Sequence, residues 1–500
     1  MTLSTKKLGL GVVLLSGLFA FAACQPKNEE TPGGTGPSTT PDGSTPDGGS
    51  DPDGGNADLP KPVFCPIADP FKPTGNAVVV SDTVLKEDTK WTADKVYLIG
   101  DDFKIQKFKL TVEAGTTICL YQRGRILVGQ GIDPGEIHLD GTKEKPIVIT
   151  APPSSSDPTK PDVFHRGLQF DTYMGSTISY VNIWYGGPGG GSAAWAFELT
   201  NTARGNDPKK PLLVDHVVVG AVQSKGVRVG TENGVADGSS IQFTGFGPRG
   251  SDSPDLDATA EVDIVAVKSF AKAWKVAGAS IPDGAKHVNL KPNASDGRLS
   301  VDAELVDLGL PFLYKNHKEL HIVGPQDDPV GATLTIREGV TLQMDGVLVV
   351  GATSGTAQGN LVVAGTKDKP VTFTSTQEKP ASGDWEGFYF VGGQYDPAKT
   401  KIDNAKILYA GVDPSNGQQI NQHVGRCGGS FVGAVMIVNG SRAPYDGPQL
   451  SNVHIGFSKS DGIVSDANDS GGFLKTSYAK PDITFEGIAG KTLANNGACN

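Results

Sequence analysis

Two stretches of this chain repeat each other at a fixed distance, which limits the fold more than any other feature. Leu110-Thr111-Val112-Glu113-Ala114-Gly115-Thr116-Thr117-Ile118 is matched by Leu334-Thr335-Ile336-Arg337-Glu338-Gly339-Val340-Thr341-Leu342 (339 − 115 = 224). Gly141-Thr142-Lys143-Glu144-Lys145-Pro146-Ile147-Val148-Ile149-Thr150 is matched at the same distance by Gly365-Thr366-Lys367-Asp368-Lys369-Pro370-Val371-Thr372-Phe373-Thr374, and Tyr185 by Tyr409. Later blocks sit farther apart: Val219-Gly220 and Ser224-x-Gly226 against Ile455-Gly456 and Ser460-x-Gly462 (456 − 220 = 236). The twelve extra residues fit an insertion in the second copy between Tyr409 and Gly428, where the first copy holds only the Gly-rich Gly186 to Gly191. Repetition of this kind points to stacked units that bury their apolar faces against each other.

Within each copy the apolar residues alternate. Phe108, Leu110 and Val112 point one way, and Lys107, Lys109 and Thr111 the other. Ala332, Leu334 and Ile336 repeat this, as do Ile147 with Ile149 and Val371 with Phe373. Period two is the strand period. Helical stripes are scarce, with Ser269 to Val276 the one candidate for a short helix. Brief strands broken by Gly, Pro, Asn and Asp indicate an all-β chain with tight corners.

These blocks resemble the right-handed parallel β-helix of exported bacterial repeat proteins, the pectin-lyase-like architecture. In that family an x-x-Gly-Thr turn leads into a strand, as at Ala114-Gly115-Thr116; Glu338-Gly339-Val340 keeps the Gly and loses the Thr. The family's Gly-Thr-x-x-x-Pro signature introduces the next strand and occurs twice, at Gly141 to Pro146 and Gly365 to Pro370. The resemblance runs from Val96 to Tyr185 and from Leu320 to Tyr409. It implies a solenoid built from two tandem copies of a ~224-residue unit, spanning 61–276 and 277–500. Gly115 and Gly339 then sit at turns, and Pro146 and Pro370 open strands, where no ladder donor is needed. With Ile118, Leu120, Leu342 and Met344 inward, Cys119 aligns with Gln343 and points outward, its sulfur free to pair with Cys65 from a segment that covers the open end at the first coil. One continuous solenoid and two helices joined near Ala277 to Asp296 both remain open at this point.

The start of the chain resembles a bacterial lipoprotein signal. Lys6 and Lys7 precede an apolar run from Leu8 to Ala23, which ends Phe21-Ala22-Ala23-Cys24, with Phe where that motif usually has Leu. The resemblance implies cleavage after residue 23, lipidation of Cys24 and a membrane as partner. The outer membrane or cell surface is expected; Gln25 is not the Asp that holds some lipoproteins at the inner membrane, but the sorting code varies, and the choice of membrane stays open at this point. Residues 24–60 are rich in Pro, Gly, Ser, Thr and Asp, and lack the apolar residues that offset ordering entropy. They read as a disordered tether reaching about 30 Å. Of the five cysteines, Cys65, Cys119, Cys427 and Cys499 remain after Cys24. Four thiols in an exported chain allow three pairings. Cys65–Cys119 and Cys427–Cys499 are favoured because each lies within one half. A net charge of −11 argues against nucleic acid as a partner.

Function is less legible. Trp184, Trp195 and Trp385 are candidates for stacking on a glycan or partner protein, although burial under a loop is the plainer reading of each, and the insertion from Gly411 to Arg426 is the loop best placed for a specific contact. Acid–base candidates are Asp101-Asp102, His165-Arg166, Asp215-His216 and Asp327-Asp328, each reading more simply as a solvated turn. The polygalacturonase-type Asn-Thr-Asp, Asp-Asp and Gly-His-Gly series is missing in order. His317 and His321 on a strand lie about 13 Å apart, too far to share a zinc ion. The acidic stretches Asp252 to Asp263 and Asp466 to Asp469 read as solvated loops rather than Ca²⁺ sites. No catalytic residue, metal or cofactor is assigned. The expected function is a non-catalytic cell-surface lipoprotein presenting a rigid β-helix for envelope, glycan or protein contacts. The alternative is an exported polysaccharide lyase or glycoside hydrolase, and a third reading is a plain spacer. An enzyme would bring at least two carboxylates and an Arg, Lys or His together in an exterior groove.

Overall fold

The alternating strands wind into a right-handed parallel β-helix. A computed structural model describes residues 59–121, 123–188, 194–200, 212–230, 235–247, 258–276, 287–292, 297–315, 319–325, 331–352, 357–412, 432–438, 447–466 and 472–495. Cys24, Cys427, Cys499, His317, Asp327 and Asp328 lie outside these residues, as do the signal, nearly all of the tether and most of the 411–426 insertion. Among the described residues the strands form sheets of eleven, sixteen and seven. Every pairing between these strands is parallel. One rung illustrates the winding. Thr117–Leu120, Arg125–Val128 and Glu136–Asp140 supply its three faces, and Ile147–Thr150 then stacks on the first, Ile118 opposite Ile149. The inward residues Ile118, Leu120, Ile126, Val128, Ile137 and Leu139 are fully buried. Each such side chain contributes about 1.5–3 kcal/mol on leaving water.

One apolar core runs unbroken from Leu85 to Ile483. The question of one solenoid or two is settled at Val288–Lys291. This strand pairs with Ala258–Asp263 on one side and Phe312–Tyr314 on the other, so the sixteen-stranded sheet passes through the joint. The joint carries a shift. Thr117–Leu120 lies in the eleven-stranded sheet, whereas Thr341–Met344, 224 positions on, lies in the sixteen-stranded one. Likewise Arg125–Val128 belongs to the sixteen-stranded sheet and Val347–Val350 to the seven-stranded one. Corresponding strands of the two halves therefore lie one face apart around the axis.

The corners explain the sequence signatures. Thr177–Trp184 and Lys401–Leu408 are long strands whose two halves extend different ladders. The change of direction falls on Tyr180 and Asn404, with φ of 47° and 50°; His216 and Asn452 above them both have φ of 51°. Tyr185 and Tyr409 (60° and 64°) and Ala221 and Phe457 (50° and 58°) make the next corner. Left-handed backbone costs a non-glycine residue about 1–2 kcal/mol. Stacking offsets it: Tyr180 lies on His216 at 4.4 Å, and Tyr409 on Phe457 at 5.1 Å. The Gly of each Gly-Thr-Lys-x-Lys-Pro block sits directly under a corner. A Cβ on Gly141 would meet the Tyr180 carbonyl at 2.4 Å, and one on Gly365 the Asn404 carbonyl at 2.1 Å, so only glycine fits.

Four local expectations change. The short helix is Val267–Ala273, and Trp274–Val276 is strand. Phe108 is 37% exposed because Lys107, with φ of 66°, breaks the alternation before the strand starts at Lys109. Of the acidic stretch read as loop, Ala258–Asp263 is a strand of the sixteen-stranded sheet. Finally, Cys65 does form a disulfide with the outward Cys119, but its segment does not close the end of the helix. Leu85 and Trp91 do that, Trp91 stacking on Tyr97 at 4.4 Å. The segment around Cys65 instead lies along the side as a strap. The Cys65 N–H donates to the Ala151 carbonyl (2.9 Å), Thr150 Oγ1 donates to the Val63 carbonyl (2.5 Å), and Phe64 stacks flat on Tyr185 at 4.5 Å. Beneath it lie Val96, Leu98 and Tyr121, then Trp184, Tyr185 and Val218. Ordering backbone costs about 1–2 kcal/mol per residue. An aromatic stack returns about 0.5–1.5 kcal/mol and a hydrogen bond a similar net amount. The disulfide, closing a separation of 54 residues, contributes about 3–5 kcal/mol by restricting the unfolded chain.

Candidate functional site

In the first half, the outer side of the sixteen-stranded sheet carries a column of charges. Parallel stacking sets like positions of successive rungs about 4.8 Å apart. The outward column reads Lys104, Leu127, Gln169, Glu198, Arg228, Glu261, Asn289. Beside it, Asp102 lies opposite Arg125. Each charge sits between inward apolar neighbours, as Glu198 does between Phe197 and Leu199, so the pleat turns it outward.

The column is ion-paired from rung to rung. Arg125 donates through Nε and Nη2 to the two oxygens of Asp102 (3.1 and 2.5 Å) and through Nη1 to Gln169 (2.7 Å). Arg166 adds a bond to Asp102 Oδ1 at 2.9 Å. Two rungs on, Arg228 Nη1 donates to Glu198 Oε1 at 2.7 Å. Its Nε lies 2.9 Å from Glu261 Oε1, close enough for ion pairing but not aligned as a hydrogen bond. Lys291 approaches the same carboxylate at 3.3 Å. Glu198 and Glu261 are only 4% and 8% exposed.

Burial shows in the titration of this group. Desolvation raises the Glu198 carboxyl, against the pull of Arg228. Asp263, on the Glu261 strand and opposite Lys291, is pushed up to about 6 by desolvation, with Arg228 opposing. Desolvation lowers the Lys225 ammonium. Three carboxylates thus meet Arg228, Lys225 and Lys291 on one outer face, and Asp263 can hold or release a proton near neutral pH. Of the six, only Glu261 and Asp263 stand out in the sequence, within the acidic stretch Asp252 to Asp263 that reads as a solvated loop. The six are scattered along the chain, and they meet only through stacking, not as sequence neighbours. The readable signal was a charge between apolar residues recurring once per rung, at 198, 228 and 261.

The residues that were picked out have other duties. Trp184 and Trp385 are fully buried and Trp195 is 4% exposed, so none presents a ring to a sugar. Trp184 packs on the outer face with Ala151 and Val218, while Trp385 lies in the core. His165 is fully buried, with Nδ1 accepting from the Gly167 N–H and Nε2 donating to the Trp184 carbonyl. Burial drives it down to about 4, so it stays neutral. Trp385 does the same work in the second half, its Nε1 donating to the Leu408 carbonyl at 2.8 Å. Both bonds satisfy the last carbonyl before a left-handed tyrosine. Arg166 and Asp102 belong to the ionic column, whereas Asp101 caps the Asp102 N–H. His216 and Asp215 bond each other at a corner, 2.5 Å apart. His321 is a buried strand residue donating to Gly351. Asp466 is buried rather than solvated. Among the described residues no His, Cys, Asp and Glu group has metal-binding geometry.

A second feature is a cleft of about 630 Å³ near the end of the solenoid. Its floor is the start of two paired strands, with Lys401 opposite Gln449 and Asp403 opposite Ser451. The helix Gly472–Tyr478 supplies Thr476, Ser477 and Tyr478, and Lys480 follows. The Tyr478 hydroxyl donates to the Pro448 carbonyl and fixes the helix to the floor. Asp403 Oδ1 accepts from Ser451 at 2.6 Å and from Asn404 at 3.0 Å.

Comparison with known families gives one match. Residues 313–417, about a fifth of the chain, match a family described as a pectate-lyase like β-helix domain. No curated protein and no solved structure matches the chain.

Proposed function

We propose that this chain is an exported, lipid-anchored β-helix protein that works by contact, and that its second half holds an acidic saccharide in the cleft around Lys401 and Lys480. The cleft carries this reading. Its volume falls within the roughly 300–1,000 Å³ of small-ligand sites. Two ammonium groups suit carboxylates, and Ser451, Thr476 and Ser477 offer the hydroxyl chemistry that sugars match. The ionic column supports contact in a second way. Glu198 and Glu261 close on one guanidinium, which is thereby held as a fixed surface group. The lipoprotein-like start supports anchoring through Cys24. The test is a glycan array with purified chain. Selective binding of uronate-containing glycans, weakened on the order of tenfold in Lys401→Glu with Lys480→Glu and screened by salt, is expected. Equal binding of the double variant would remove the cleft from the reading.

Asp263 favours a second reading, a polysaccharide lyase or glycoside hydrolase on the ionic face. A carboxyl titrating near 6 beside Arg228 and Glu261 is suited to proton transfer. Release of unsaturated or reducing oligosaccharide by the chain, abolished in Asp263→Asn, would establish this reading over the first.

A further inference from the structure

The strap along the outer face suggests a device that rests on neither reading of function. We infer that the segment around Cys65 is a latch closed by oxidation, lying on the solenoid when Cys65 and Cys119 are joined and leaving it when they are reduced. Three observations carry this. First, the strap belongs to no sheet: its described backbone ties are single bonds, Cys65 N–H to Ala151 and Thr150 to the Val63 carbonyl. Second, its attachment spans several rungs through side chains, with Cys65 on Cys119 and Phe64 on Tyr185. Third, what it lies against is an apolar stripe outside the core: Leu98, Tyr121, Trp184 and Val218. The rungs beneath are held by their own ladders and inward residues, so they do not need the strap. Ordering the strap on so few contacts depends on the covalent tie.

Closure is a two-electron step. The two thiols lose two protons and two electrons, the sulfur–sulfur bond forms, and a partner disulfide acting as oxidant is reduced to its dithiol. Reduction by a dithiol reverses each change. In a reducing compartment the strap is open and the stripe is bare; in an oxidising one it is shut.

The test compares full-length chain in oxidised form, the same chain reduced with a phosphine, and Cys65→Ser. Chymotrypsin cleavage after Phe64 is followed by mass spectrometry, with far-ultraviolet circular dichroism recorded alongside. We expect cleavage at Phe64 to rise at least about tenfold in the reduced and Cys65→Ser chains, with unchanged circular dichroism and increased binding of an apolar dye. Phe64→Ala with its disulfide intact should bind no more dye than the oxidised parent. Equal cleavage of oxidised and reduced chains would overturn the latch, because packing alone would then hold the strap. Loss of circular dichroism on reduction would also overturn it, making the disulfide a staple of the rungs instead.

Discussion

Corresponding strands of the two halves carry outward columns built from opposite materials. In the first half the column is Lys104, Leu127, Gln169, Glu198, Arg228 and Glu261. On the corresponding strands of the second half, which form the seven-stranded sheet, it is His321, Val349, Tyr389, Met436, Val464 and Ala494. Glu198 and Glu261 are nearly buried, and so are Val349, Met436 and Val464. The inward neighbours are alike, Ile126 and Val128 in one half, Leu348 and Val350 in the other. The winding thus fixes what points in and leaves what points out free to diverge. One half spends its outer face on paired charge, the other on a small second core.

The contrast can be broken most sharply at Arg228. Arg228→Ala leaves Glu198 buried without its cation, which should cost about 3 kcal/mol or more in denaturant unfolding. Val464→Ala, at the equivalent position, should cost only about 1–2 kcal/mol. Equal losses would show that the ionic column is solvent-screened.

Acid should also separate the halves. His165 titrates at about 4 when folded against an ordinary 6.5, so the unfolded chain takes up a proton that the folded chain refuses. Its contribution is intact above pH 6.5 and is lost as pH falls toward 4, on the order of 3 kcal/mol. Trp385, holding the matching carbonyl, has nothing to titrate. His165→Gln should flatten the stability profile between pH 6.5 and 4, whereas no such flattening should follow from Trp385→Phe.

Asp263 has the opposite sign. Its folded value of about 6 exceeds the ordinary 3.8, so the folded chain holds the extra proton. The contribution is present below pH 3.8 and is lost as pH rises to 6, on the order of 2 kcal/mol. Asp263→Asn should remove this slope in urea titrations.

The smallest effect sharpens the comparison best. Glu198→Met, Arg228→Val and Glu261→Ala together give the first half the second half's outer residues. Replacing this buried Glu–Arg–Glu triad by apolar groups should change stability by no more than about 1 kcal/mol, or raise it. A large loss would mean that the column does specific structural work.

What could be read in advance divides along the same line as inside and outside. Ile118, Leu120, Leu342 and Met344 were legible as inward because alternation is local, and the turns at Gly115 and Gly339 because a turn has a fixed spelling. The outward chemistry was not, since Glu198, Arg228 and Glu261 meet only through the stacking of rungs about 30 residues apart. The tryptophans carry both readings for a related reason: Trp184 does point out of the core, as its strand phase implies, and is covered there, the plainer of its two readings. The shift of one face at the joint left no mark in the repeat, because spacing along a chain carries no angle.

That joint has a consequence for durability. Val288–Lys291 is laced by hydrogen bonds to a strand from each half, so the halves are not two beads on a string. A protease that severed the chain between Val276 and His287 would leave the pieces clasped, and parting them would mean tearing open an interior that has no natural seam.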